Sequence, residues 1–177
     1  MKNNRLNRIN RLKNKGMARL TGSFPAFGKY LTSLHVPPIS GDIPWTDIKK
    51  PLAESKVALV TTAGIHHSRQ KPFNMDDPTG DPTYRMIDAK TIEEDYVITH
   101  DYYDHRDADK DLNIVFPVAR LEEMAARGIV GRAAENHVSF MGHIMGAQVD
   151  RLCGNYAPEA AALLANEQVD AVILTPA

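Results

Sequence analysis

Short apolar runs, rich in β-branched residues, recur along the chain from residue 57 onward, and each has the length of a buried strand. They predict strands at Val57–Thr62, Tyr96–Thr99, His137–Met141 and Val169–Thr175. Helical patterns separate the later runs, and strands that alternate with helices form right-handed crossovers. The expected fold class is therefore α/β, with an open, mainly parallel sheet and flanking helices.

Two segments between these runs have the start and stop signals of helices. In the first, Pro117 suits the first turn, Leu121 and Met124 share one face, and Gly128 marks the end. The second covers Pro158–Asn166, is rich in alanine, and begins with a Pro-Glu pair, as the helix dipole favours. These helices are expected to cover the sheet.

Two polar stretches are predicted to lack regular structure. Residues 66–90 are interrupted by three prolines and a glycine, and loops of that length in a compact domain are functional or disordered. Residues 21–50 are rich in Pro, Gly and Ser, which predicts an extended lead-in across the domain surface. We therefore divide the chain into a basic N-terminal extension with its lead-in, residues 1–50, and an α/β domain, residues 51–177.

The first 20 residues are strongly basic and contain no acidic residue. Leu6, Ile9 and Leu12 recur at helical spacing, so one interpretation is a basic amphipathic arm able to bind nucleic acid. The other interpretation is a disordered extension, or a gene start assigned too early, with Met17 as the true first residue. A secretory signal is not predicted, because no apolar central stretch follows the basic start.

The composition excludes several classes of function. Of the 177 residues, 43% are apolar and 24% are charged, and the formal net charge of −1 gives no overall attraction to nucleic acid or membranes. No apolar run approaches the roughly 18 residues that span a bilayer. Cys153 is the only cysteine, which excludes an internal disulfide and fits a reducing cytoplasm. We interpret this cysteine as a buried structural thiol rather than a reactive one.

Histidines occur where the predicted strands end. In open parallel sheets, ligands bind at the carboxyl ends of the strands. Three of the four segments that follow the predicted strands contain histidine; the segments are 63–67, 100–101, 141–143 and 175–177. Imidazole transfers protons near neutral pH, so this coincidence indicates an active site, although His66, His67 and His143 could also be exposed loop residues.

A partial metal-binding motif follows the second predicted strand. The segment His100-Asp-Tyr-Tyr-Asp-His105 resembles the HxHxDH zinc motif, but Tyr102 occupies the place of the middle histidine. A metal-dependent hydrolase built on His100, Asp104 and His105 stays open as an alternative to a site without metal. The acidic loop at residues 76–81 lacks the spacing of an EF-hand and is interpreted as a solvated turn. No nucleotide-binding fingerprint is present, so no cofactor is expected in this chain.

Seven segments carry a family resemblance, at residues 57–66, 77–85, 98–101, 111–117, 120–125, 139–142 and 169–176. They include Asp77-Pro-Thr-Gly-Asp-Pro-Thr-Tyr-Arg85 and Ser139-Phe-Met-Gly142. In sequence and in order, over residues 36–177, they resemble the selenoprotein B subunit of the glycine/sarcosine/betaine/D-proline reductase family. That resemblance also implies an α/β fold, in agreement with the strand and helix pattern.

The resemblance implies reductive cleavage of a C–N bond at the α-carbon of an amino acid or of its N-methylated form. Family members use a selenolate or thiolate nucleophile and take electrons from a dithiol. The implied partners are other reductase subunits, a dithiol electron donor and a small-molecule substrate, with no membrane and with nucleic acid unexpected. A partner subunit can carry a pyruvoyl group that forms a Schiff base with the substrate amine.

In that family, the strand resembling Val169–Thr175 leads directly into a selenocysteine or a cysteine. The redox residue is therefore expected just after residue 177, where a UGA codon read as a stop would truncate the protein. A chain that ends two residues past a buried strand also lacks the helix that should cover it. The 177 residues alone are expected to be inactive.

The resemblance and the strand ends together nominate the site residues. His66, His100 and Asp101 are the expected catalytic proton donors or orienting groups. The expected substrate-binding residues are His67, Asp111, Asn113 and His143. The alternative from another class is a non-catalytic subunit or binding module with the same fold.

Overall fold

The computed structural model describes residues 2–33, 46–90 and 95–177, and the chain divides into two compact units. The N-terminal unit comprises Met1–Asp47 together with Asp101–Asp104. The sheet unit comprises Ile48–His100 together with His105–Ala177. None of the helices in the described ranges combines the length and the apolar character needed to cross a membrane.

The N-terminal unit contains two helices, α1 at Lys2–Ser23 and α2 at Pro25–Ser33. The amide of Phe24 donates to the carbonyl of Leu20 at 3.0 Å, so the chain turns almost directly from one helix into the next. The basic N-terminal segment is thus helical over Lys2–Ser23, as the first of the two interpretations predicts. The prediction of an extended lead-in is wrong for residues 25–33, because Ala, Phe, Tyr and Leu continue a helical pattern there. Of the rest of that prediction, residues 21–23 belong to α1, residues 34–45 lie outside the described residues, and residues 46–50 form no helix or strand.

The strands of the described chain all lie in the sheet unit; in chain order they are β1 Lys56–Thr61, β2 Ile65–His67, β3 Tyr84–Asp88, β4 Tyr96–Ile98, β5 Arg132–Ala133, β6 Asn136–Phe140 and β7 Ala171–Thr175. The helices of this unit are α3 Val118–Ala126, α4 Ala147–Arg151 and α5 Ala157–Asn166. A single π-helical turn, Leu152–Tyr156, joins α4 to α5. Short 3₁₀ turns lie at Leu52–Glu54 and Leu112–Ile114.

The main sheet is built around β1, which pairs in parallel with β5, β6 and β7. Val60 is aligned with Val138 of β6 on one side and with Leu174 of β7 on the other. β3 extends the sheet by antiparallel pairing with β6, with Tyr84 opposite Phe140. The predicted α/β class with a mainly parallel sheet is confirmed.

The region at 65–98 differs from the sequence prediction. The predicted strand at Tyr96–Thr99 forms as β4, but it pairs antiparallel with β2 in a separate two-stranded sheet. None of its three residues is buried, in keeping with a strand that lies outside the main sheet. The predicted long loop at 66–90 also contains β3, whose mixed polarity suits a strand at the edge of a sheet.

Helices cover the two faces of the central strands. On one face, Ala58 and Val138 pack against Ala160 and Leu164 of α5 in a buried apolar cluster. On the other face, the ring of Phe116 meets His137 edge-on, with 5.4 Å between the ring centroids. Burying each large apolar side chain stabilises the fold by about 1.5–3 kcal/mol, so these contacts hold β1 and β6 at the centre.

β7 is covered much less than its neighbours. Among the described strands only β1 pairs with it, and Val172, Ile173 and Leu174 are exposed, Leu174 by 72%. An apolar groove of about 730 Å³ lies between β7 and the segment from α4 to α5. Cys153 lines that groove and is exposed, so its interpretation as a buried thiol is wrong. The π-helical turn that carries Cys153 has no buried residue, which leaves the thiol at the surface.

Candidate functional site

Threonines join the ends of β1 and β7 at the carboxyl edge of the main sheet. The Thr61 hydroxyl donates to the carbonyl of Val115 at 2.8 Å and lies 3.2 Å from that of Thr175. The amide of Thr62 donates to the carbonyl of Thr175 at 3.2 Å, and the amide of Ala177 donates to the Thr62 hydroxyl at 3.1 Å. The chain beyond β7 is thereby held against the end of β1.

Gly64 forms the turn that carries the chain from β1 into β2. Its φ of +72° lies in the left-handed region, and a Cβ there would stand 2.5 Å from the carbonyl oxygen of Thr99. Its amide donates to Phe140 at 2.9 Å, and its carbonyl accepts from the amide of Thr99, also at 2.9 Å. A glycine is required here because the backbone of Thr99 leaves no room for a side chain.

His66 is buried directly after this turn, and both ring nitrogens have partners. Nδ1 lies 2.8 Å from the carbonyl oxygen of His67, and Nε2 lies 2.8 Å from the hydroxyl of Thr99. A carbonyl can only accept, so Nδ1 carries the proton, and in the neutral ring Nε2 accepts from the hydroxyl. Nε2 is therefore the atom that can exchange a proton, through the hydroxyl of Thr99.

His100 is also buried and follows Thr99 in the chain. Its Cβ lies 3.4 Å from the position that a Cβ on Gly64 would occupy. Of the two predicted catalytic histidines, His66 is therefore hydrogen-bonded to Thr99 and His100 packs next to the turn at Gly64.

His67 connects elements around β2. Its Nε2 accepts from the amide of Asp88 at 3.3 Å, while Nδ1 lies 3.2 Å from the carbonyl oxygen of Asp95. The ring therefore links the end of β3 to the start of the segment that leads into β4. This arrangement fits a structural role for His67 as well as the predicted one.

His143 lies against a different loop from the one that holds His66. Its Nε2 is 3.0 Å from the carbonyl oxygen of Pro78, in the acidic segment before β3. The close contact requires Gly80, whose φ is +91° and whose added Cβ would collide with the carbonyl of His143. His143 therefore helps to join the loop after β6 to residues 77–80.

Asp111 and Asn113 form a local cap. The Asp111 carboxylate accepts from the amide of Asn113 at 3.0 Å and from its side chain at 3.1 Å. These hydrogen bonds lower the pKa of Asp111. The side-chain oxygen of Asn113 is buried and has no partner within the described part of the chain, so it is the atom of this pair that could receive a ligand donor.

Asp101 belongs to the N-terminal unit. Its buried carboxylate lies 2.6 Å from Nε of Arg11 and 3.3 Å from the ammonium of Lys15, both on α1. These ion pairs attach the segment 101–104 to the basic helix. The structure therefore gives Asp101 cationic partners that the sequence did not predict.

His137 is a buried polar residue that the sequence analysis treated only as part of a strand. Its Nδ1 accepts from the amide of Leu59 at 2.9 Å, so in the neutral ring the proton is on Nε2, which has no partner in the described ranges. Burial lowers the pKa of His137 to about 4. The imidazole is neutral at physiological pH, and the only sequence signal was a histidine inside an apolar run.

The metal-binding alternative finds no ligand cluster in the structure. His105 Nδ1 lies 2.8 Å from the carboxylate of Asp109, one helical turn away. Within residues 2–33, 46–90 and 95–177, no three or more His, Cys, Asp or Glu side chains are grouped to hold a metal ion. The acidic loop is likewise an ordered turn, in which Asp77 accepts from the amide and hydroxyl of Thr79.

Comparisons with known proteins extend these observations. Residues 26–177 match the family model for glycine/sarcosine/betaine reductase selenoprotein B. The chain is also similar to D-proline reductase subunit gamma of Acetoanaerobium sticklandii, with 36% identity over 138 residues, which is 78% of this chain and 55% of that protein. The chain thus spans about half the length of this curated relative. No solved structure matches the chain.

Proposed function

This chain belongs to the glycine/sarcosine/betaine reductase selenoprotein B family, and we propose that its reaction is the reductive cleavage of a C–N bond at the α-carbon of an amino acid. At the family level it is an oxidoreductase subunit. The observation that carries the proposal is the family match over residues 26–177, together with 36% identity to a D-proline reductase subunit. Proline, glycine and their N-methylated forms are the substrate class these names suggest.

The proposed reaction balances with a dithiol as reductant. The C–N bond breaks, the α-carbon gains a proton and an electron pair, and the nitrogen leaves with a second proton. The dithiol supplies both electrons and both protons and becomes a disulfide. We place the redox selenocysteine or cysteine just after Ala177; a low-pKa selenol or thiol is ionised near neutral pH and is a ready nucleophile.

His66 and His100 are the proposed proton donors or orienting groups. What supports this role is that both histidines are buried and that Thr99, the residue before His100, has its hydroxyl 2.8 Å from Nε2 of His66. Asp101 is proposed as a catalytic residue on the ground of its place directly after His100 in the sequence. His67, Asp111, Asn113 and His143 are proposed to shape the substrate crevice, and the unpartnered oxygen of Asn113 suits a substrate N–H.

Other reductase subunits are the expected partners, as the subunit name of the relative implies for that protein. We propose that a pyruvoyl group on one of them binds the substrate amine, and that no cofactor is held by this chain. The proposed compartment is the cytoplasm, where thiols stay reduced.

Sequencing the gene past codon 177 tests the proposal directly. The expected result is an in-frame UGA followed by roughly 70–100 further codons that include cysteines, as ordinary domain sizes suggest. A UAA or UAG codon would overturn the proposed redox residue and favour a non-catalytic subunit or binding module. Substrate-dependent oxidation of a dithiol by the complete complex, lost in a His66→Ala variant, would then test the role of the histidine.

A further inference from the structure

The helix α1 carries positive charge that the composition of the whole chain conceals. It contains seven of the 21 basic residues and none of the 22 acidic residues, although the formal net charge of the chain is −1. The family match begins at residue 26, after the end of this helix. The partners that the family implies therefore do not account for α1.

One side of α1 faces the rest of its own unit. Ala18 is buried, and Arg11 and Lys15 pair with the carboxylate of Asp101 at 2.6 and 3.3 Å. Arg11 and Ala18 are seven residues apart, so they lie on the same side of the helix. At 3.6 residues per turn, Ile9 lies on the side opposite Ala18. These contacts thus determine which side of α1 faces outward.

The outward side exposes a row of apolar side chains. Ile9 is 54% exposed, Leu12 is 65% exposed and Leu20 is exposed as well, and helical geometry places the three within about 80° around the axis. The amide of Phe24 donates to the carbonyl of Leu20, so the exposed Phe24 continues the row by one turn. We call these four residues the apolar row. An exposed row of this kind is typical of an interaction surface.

Basic side chains flank the apolar row on both sides. Arg8 and Arg19 lie beside Leu12 around the helix, and Lys13 lies beside Leu20. All three basic residues are exposed, and none of them forms an ion pair within the described ranges of the chain. Helices that lie in a membrane interface combine an apolar face with flanking Lys and Arg in this way.

We propose that α1 binds the surface of a membrane that contains anionic phospholipids, with the apolar row in the boundary between headgroups and acyl chains and the basic flanks at the phosphates. Nucleic acid, which the sequence left open, would use the positive charge but leave the apolar row in water. The proposed compartment offers a suitable surface, because the cytoplasmic leaflet carries anionic lipids. The expectation of no membrane partner came from a resemblance over residues 36–177, which does not include α1.

The test is flotation of the purified full chain with vesicles of phosphatidylcholine that contain about 30% phosphatidylglycerol, in about 0.1 M salt. Flotation separates protein on vesicles from aggregates, which sediment. Binding is expected to be at least about tenfold weaker to phosphatidylcholine alone and to fall as salt is raised, because salt screens the charges. Absence of binding, or equal binding to both vesicles, overturns the proposal.

Two variants separate charge from apolar contact, and both use glutamine because it is a good helix former. The charge variant is Arg8→Gln, Lys13→Gln, Arg19→Gln. Each basic residue near an anionic surface strengthens binding about fivefold, so a loss of at least tenfold is expected. Its control makes the same change at three exposed residues of the sheet unit: Arg69→Gln, Lys90→Gln, Arg127→Gln. Equal losses in the variant and its control overturn the role of α1.

The apolar variant is Leu12→Gln, Leu20→Gln, and its control is Leu52→Gln, Leu163→Gln, at two exposed leucines of the sheet unit. A loss of about tenfold or more is expected in the variant and not in the control. Binding that needs the charges but survives the loss of both leucines would indicate a purely ionic surface, as for nucleic acid, and overturns the lipid proposal. The test needs no turnover, so it is independent of the proposed reductase reaction.

Discussion

β6 and β7 flank β1 on opposite sides, and both pair with it in parallel, yet their side chains have opposite surroundings. His137, Val138 and Ser139 of β6 are completely buried, whereas Val172, Ile173 and Leu174 of β7 are exposed. The ladder of β7 with β1 is the longer one, with five aligned residue pairs. Backbone pairing therefore places a strand in this sheet, but burial comes from the layers that cover it.

The largest loss of stability is expected from a substitution in α5, the helix that covers one face of β6. Leu164→Ala removes a side chain buried in the apolar cluster and is expected to lower the free energy of unfolding by about 2–5 kcal/mol. Leu174→Ala on β7 should cost less than about 0.5 kcal/mol, as exposed substitutions do. Urea denaturation of the two variants measures the difference. Equal losses would mean that β7 is covered in solution.

The stability of the fold should depend on pH through His137 of β6. Burial holds the pKa of His137 at about 4, against 6.5 for an unperturbed histidine. The unfolded chain therefore takes up the proton first, and stability that is fully present above pH 6.5 is lost as the pH falls towards 4, by about 3 kcal/mol.

The control is His137→Asn, which keeps an acceptor for the amide of Leu59 and removes the titrating group. The loss of unfolding free energy between pH 7 and pH 4.5 is expected to be smaller in this variant, by about 2–2.5 kcal/mol. The same pH dependence in both proteins would assign the acid instability to other groups.

A matched pair of valines compares the two strands with the same chemical change. Val138→Ala is expected to cost about 2 kcal/mol, and Val172→Ala about half of that, since part of its surface is already in water. Thermal unfolding followed by circular dichroism is sufficient to rank them. A larger loss at Val172 would contradict the contrast between the strands.

The smallest losses of stability are expected from substitutions of Thr61 and Thr175, which lie at the ends of β1 and β7. Thr61→Val removes a donor to the carbonyl of Val115 at 2.8 Å and should cost about 1 kcal/mol. Thr175→Val removes only a contact of 3.5 Å and should cost less than about 0.5 kcal/mol. Chemical denaturation of both variants under one set of conditions checks the order.

The sequence predicted both β6 and β7, because each is a short apolar run. It could not show that β6 would be buried and β7 exposed. The exposure of β7 depends on which elements lie over it, and no local pattern of Val169–Thr175 contains that information. β3 was missed because Arg85 and Asp88 interrupt its apolar positions, as is common in a strand at the edge of a sheet. The segment at 25–33 was missed because Pro and Gly were taken as loop signals, although Pro25 occupies the first helical position.

The positions of some nominated residues could be predicted from strand ends, although their roles stay predictions. His66 and His100 were nominated because they follow predicted strands, and both are buried in the structure. The contacts of Asp101 with Arg11 and Lys15 join residues about 90 positions apart, which spacing alone does not reveal. The hydrogen bond from Gln148 to Asp77 was missed for the same reason, since these residues meet only in the folded chain.

The exposure of β7 also affects how the chain behaves in solution. Residues 171–175 are uncharged and contain neither proline nor glycine, and their outer backbone groups have no pairing partner among the described strands. A segment of this kind is a template for association with other copies through added strands. We expect the isolated chain to self-associate with rising concentration, and a charged residue in place of Ile173 to improve its solubility.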